Sequence, residues 1–156
     1  MKQTVQMDRI QEKMKPGVYT RDGFLGTDRR KLIDILIEDD EAVKRMDLTH
    51  QRIAARMICL RDAGMRGLGE FINVEPHYEV RVISVRGKLP CPFGDPGIFP
   101  KTNTVVRNTE LDREITFTDM HIHMVGSHGF YEGKGSPFRL EPADLAEVLD
   151  IEPIRE

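Results

Sequence analysis

The chain has 156 residues, 39% of them hydrophobic and 31% charged, with a formal net charge of −3. That length and apolar content suit one compact domain and exclude wholesale disorder. The longest apolar run, Met57 to Leu60, falls far short of the ~20 residues that cross a bilayer.

Acidic and basic residues are interspersed, so no half of the chain is basic enough to favour phosphate neutralisation, and nucleic-acid binding is disfavoured. Met1 to Lys15 contains no apolar core of a secretory leader, which makes the cytoplasm the expected location. Cys59 and Cys91 form no Cys-x-x-Cys pair and are expected as free thiols.

Residues 1–27 read as an N-terminal arm and 28–156 as a single α+β domain. Within the arm, Met7, Ile10 and Met14 recur at helical spacing before Pro16-Gly17, which predicts a short helix over about 4–15. Such a helix needs tertiary contacts to persist, either with the domain or with a second copy of the chain.

A firmer helix is predicted over 28–46, with Thr27 as N-cap and Leu32, Ile33, Leu36, Ile37, Val43 and Met46 on its apolar face. The acidic run Glu38 to Glu41 leaves open one bent helix or two short ones. The next helix is capped by Thr49, buries Ile53, Ala54, Met57, Ile58 and Leu60, and stops at Gly64. The two helices are expected to form a hairpin packed on a sheet. Arg52, Arg56 and their neighbours form the one basic patch, best explained by pairing with the acids at 38–41.

After Gly69 the vocabulary turns to β-branched residues, and strands are predicted at 71–74, 78–86, 104–109 and 115–125. The turn-rich stretch Asn108 to Glu114 makes the last two antiparallel neighbours. A slip in alternation suggests a bulge near Ile83, unless both faces of that strand are covered. Pro142 opens a short closing helix through Leu149. The expected fold is therefore α+β: helices first, a mainly antiparallel sheet of about four strands, and a short C-terminal helix.

Chemistry-bearing residues gather in two predicted loops, Gly87 to Pro100 and Gly126 to Gly135, and in the strand before the second. If His121 and His123 lie on a strand, they share a face with Cα atoms roughly 6.6 Å apart, and their rings can converge on one metal. His128 is the third expected ligand, Zn the expected metal, and Asp119 an adjoining acceptor.

Cys91 lies between Pro90 and Pro92, which hold its backbone extended. Cys91 and Glu132 are the candidate catalytic groups. The glycines around Lys134 allow an anion cradle in which Lys134, Ser136, Arg139 and Tyr131 bind a small polar or anionic ligand. The sharpest reading is a metal-binding protein or metal-dependent enzyme. The alternatives are a non-catalytic small-molecule or anion-binding domain, or a homo-oligomeric interaction protein using its arm and the loop residues Phe93, Phe99, Phe130 and Phe138.

Overall fold

The computed structural model describes residues 2–154; the outermost positions of the expected arm and domain, residue 1 and residues 155–156, lie outside the described residues. Helices α1 (Val5–Lys13), α2 (Leu32–Arg45) and α3 (His50–Gly64) precede four strands, β1 (Ile72–Val74), β2 (Tyr78–Pro90), β3 (Ile98–Asn108) and β4 (Arg113–Thr118). Helices α4 (Asp119–His128) and α5 (Pro142–Val148) follow. The sheet is an antiparallel meander in the order β1-β2-β3-β4, so the chain has the expected α+β layout.

Local chemistry accounts for the helix ends. Thr4 and Thr49 cap α1 and α3 by accepting the backbone N–H of Met7 and Arg52. Pro142 occupies the first turn of α5, where its missing N–H costs nothing. Helix α2 is one continuous element that starts later than the pattern suggested. Lys31, not Thr27, is its N-cap, without a side-chain bond. Its buried stripe is Leu32, Ile35, Asp39 and Val43, because the acidic residue Asp39 faces inward to meet a buried cation.

Two apolar clusters form the core. One joins α3 and α5 to a face of the sheet, through Met57, Leu60, Val80, Val106, Phe117 and Leu145. Alternation along β2 places Tyr78, Val80 and Val82 in it. The second cluster brings Ile10, Met14, Phe24 and Leu25 together with Leu32 and Ile35 of α2 and Met120 and Met124 of α4. Helix α3 packs closely on α4, where a Cβ at Gly126 would stand 3.0 Å from that of Ala54.

Three strand-level expectations are corrected. The ladder between β2 and β3 runs in register through Ile83, and its irregularity falls between Val85 and Lys88. Ile83 simply faces the other side of the sheet from Val82. The predicted loop Gly87 to Pro100 largely continues the hairpin, with Lys88, Leu89 and Pro90 opposite Pro100, Phe99 and Ile98. The connecting loop is therefore only residues 91–97. Most consequentially, 119–125 is not strand: β4 ends at Thr118 and α4 begins at once.

Candidate metal centre

The turn from β4 into α4 is made by a reciprocal cap. The Thr118 hydroxyl accepts the backbone N–H of His121, and His121 Nδ1 accepts the backbone N–H of Thr118 at 3.0 Å. On a helix, residues two apart point roughly 200° around the axis from one another. His121 and His123 therefore diverge, whereas a strand would have aligned them.

His123 turns toward the β2–β3 loop and meets His128, the last residue of α4, with ring centroids 5.4 Å apart. Their Nε2 atoms lie 2.8 and 2.6 Å from the same oxygen of Asp95, Oδ2. The Cys91 thiol stands 3.9 Å from that oxygen and 3.7 Å from His128 Nε2. One ligand atom from each of Cys91, Asp95, His123 and His128 thus falls within 4.8 Å of all the others.

The loop is shaped for this convergence. Pro92 follows the cysteine directly, and the Gly94 N–H donates to the Cys91 carbonyl at 3.0 Å, turning the chain so that Asp95 returns toward the thiol. Gly94 itself has φ +93, a conformation that favours glycine. Phe93 stacks on His128 with centroids 4.1 Å apart and planes 7° apart, and Phe99 stacks on His123 at 4.3 Å. These rings fix both imidazoles in place, as supporting groups do around metal ligands.

Burial pushes the Cys91 thiol up from its ordinary value, against the pull of backbone N–H groups of the loop. The hydrogen bond from His128 holds the Asp95 carboxyl below the usual range. Cys91 is buried and Asp95 half-buried, so the cluster lies at the surface end of the loop.

Of the sequence-predicted ligands, His123 and His128 come together here and His121 does not. His121 Nε2 binds Glu132 instead, in a pair that is almost wholly buried. Because Nδ1 accepts an N–H, the proton of His121 resides on Nε2 and is donated to Glu132. Ser136 donates to the other Glu132 oxygen at 3.0 Å. Asp119 pairs with Arg61 rather than with a histidine.

The polar groups of the glycine-rich segment are engaged with the protein itself, Lys134 at the surface and Tyr131, Glu132 and Ser136 in the interior. Lys134 pairs with Glu38, Arg139 with Asp39 and Glu141, and the buried Tyr131 hydroxyl lies 2.8 Å from His50 Nδ1. Cys91 and Glu132, grouped as candidate catalytic residues, belong to separate clusters. The basic residues of α3 are likewise engaged: Arg52 and Arg56 donate to the carbonyls of Glu152 and Leu149.

Asp95 is the site residue that the sequence pattern did not single out, and Phe93 and Phe99, expected as loop residues of an interaction surface, are half-buried rings stacked on His128 and His123. The available signal was Cys91-Pro-Phe-Gly-Asp95, a tight turn that returns a carboxylate to a thiol. Comparisons with known protein families, curated proteins and solved structures find no match for this chain.

Proposed function

We propose that this chain is a metal-binding protein in which Cys91, Asp95, His123 and His128 hold one transition-metal ion, with zinc as the best fit. The observation that carries this reading is the convergence of two imidazoles and a thiol on a single oxygen, Asp95 Oδ2. One carboxylate oxygen has too few lone pairs for three good donors. An ion at the centre relieves that crowding, since each of the four atoms then becomes a ligand. Bonds of about 2.0–2.3 Å in a tetrahedron separate ligand atoms by roughly 3.3–3.8 Å; the Cys91 contacts at 3.7 and 3.9 Å stand at about this spacing, and the two histidine contacts to Asp95, at 2.6 and 2.8 Å, would open by roughly half an ångström to admit the ion.

A thiolate, two imidazoles and a carboxylate suit zinc in chemistry and in number. Four protein ligands make a closed site that ties the β2–β3 loop to α4, a cross-link between segments distant in sequence. A second reading, a metal-dependent enzyme, is favoured by one observation: the Asp95 side chain is 36% exposed against 18% and 20% for the histidines. Asp95 is then the ligand that yields its position to water or substrate, and metal-bound water there would be activated.

Elemental analysis of untagged protein tests the proposal. One metal per chain is expected, lost in His128→Ala and Cys91→Ser and retained in His121→Gln, whose side chain lies outside the cluster. Absence of bound metal together with no uptake on zinc titration refutes it.

A further inference from the structure

A cavity of about 360 Å3 opens between residues 20–24, the outer parts of β2 and β3, and the first turns of α4. None of the four cluster residues lines it. Its walls are apolar, with Phe24, Leu89, Met120, Met124 and the half-exposed Phe138. Arg21 and Lys101 stand at its rim, both exposed, and neither has an ion-pair partner among the described residues. The innermost polar groups are His121 and Glu132, each about 3% exposed.

This order of groups is specific: two free cations beside one acid, Asp22, at the rim, apolar walls between, and one carboxylate within. Glu132 accepts hydrogen bonds on both oxygens, from His121 and Ser136, which leaves a further lone pair on each. Its backbone is left-handed at φ +69, a conformation costly for glutamate. The Arg139 guanidinium, bonded to the Glu132 carbonyl at 2.8 Å, and the Gly133 N–H, bonded to the Phe24 carbonyl at 2.9 Å, hold the segment there. The fold thus keeps a strained residue directed at the cavity.

We infer that this cavity binds a small organic monocarboxylate with an apolar body and a hydrogen-bond donor at its far end. The carboxylate meets Arg21 and Lys101, whose donors suit it. The apolar body fills the Phe24–Met120–Met124 wall, and a hydroxyl or ammonium group donates to Glu132. A second carboxylate on the ligand is disfavoured by Glu132 within, and Asp22 offsets one of the two rim cations, which leaves charge there for a single carboxylate. The volume lies at the small end of ligand sites, roughly 300–1,000 Å3. The inference is independent of the metal reading.

Isothermal titration of the whole protein, both zinc-loaded and chelator-treated, with 4-hydroxyphenylacetate as the matched probe tests it. Saturable one-site binding is expected in both forms. Affinity should fall about tenfold for phenylacetate, which lacks the donor, and for 4-ethylphenol, which lacks the carboxylate. The double variant Arg21→Gln/Lys101→Gln, altered only at exposed positions, should fold normally and lose at least about tenfold. No saturable binding by any of the three compounds, or undiminished affinity in the double variant, overturns the inference. Binding confined to the zinc-loaded form also overturns it, by moving the ligand to the metal cluster.

Discussion

Arg139 and Asp39, a hundred positions apart, form a two-pronged ion pair, with Nη1–Oδ2 at 2.7 Å and Nη2–Oδ1 at 2.8 Å, and both side chains are less than 10% exposed. The pair fastens the segment after α4 onto α2. Through the Arg139 bond to the Glu132 carbonyl, it also sets the floor of the cavity.

Breaking this pair should be costly, because removing one partner leaves the other charge buried. Asp39→Ala or Arg139→Ala is expected to lower stability by about 3–5 kcal/mol. The double change Asp39→Ala/Arg139→Ala should cost less than the sum of the two single changes. Urea unfolding of the three variants measures this, and additive losses would show that the two side chains act independently.

Thr118→Ala removes the hydroxyl that caps α4 and should destabilise the protein by about 1 kcal/mol. Thr118→Ser, which keeps the oxygen, should recover most of that loss. The same substitution to alanine should loosen His121, whose Nδ1 lies 3.1 Å from the hydroxyl, and shift its ring NMR resonances. An unchanged stability in Thr118→Ala would show that packing alone starts the helix.

Burial, reinforced by the hydrogen bond to Asp150, pushes the Tyr78 hydroxyl up to about 12 from its ordinary 10.0. The folded state therefore holds this proton after the unfolded chain has lost it. That contribution is fully present below pH 10 and is lost as pH rises through about 12. Tyr78→Phe should accordingly show a shallower fall in stability between those pH values, measured by urea midpoints across the range. A fall as steep as in the unaltered protein would contradict the assignment.

Zinc should raise the melting temperature in a concentration-dependent way, since an ion held by the folded chain alone stabilises it by mass action, roughly 2.7 kcal/mol at a hundredfold excess over Kd. Excess chelator should reverse the gain, and Asp95→Ala should reduce it. Differential scanning calorimetry reads both. An equal zinc response in Cys91→Ser/His128→Ala would place the ion elsewhere.

The elements with strong local codes were legible from the chain. Thr49 and Gly64 bracket α3, Pro142 opens α5, and β-branched runs mark β2 and β3. The change into α4 was hidden, because Ile115 to Val125 reads as one β-like run. The capping signal at Thr118 had histidine three residues later, where glutamate or glutamine is the usual mark. Whether His121 and His123 share a face turns on this one choice between strand and helix.

The α+β class, the antiparallel hairpin and the concentration of chemistry in the C-terminal half follow from the order of residues along the chain. Cys91, His121, His123 and His128 also stand out in it. Their grouping comes from the packing of whole elements: Cys91 and Asp95 with His123 and His128, and His121 with Glu132. Secondary structure follows from propensities, caps and periodicities spanning a few residues. The partners of Asp95 lie 28 and 33 positions away, and that of Arg139 lies 100 away. Such meetings depend on how whole elements pack, which no local pattern encodes.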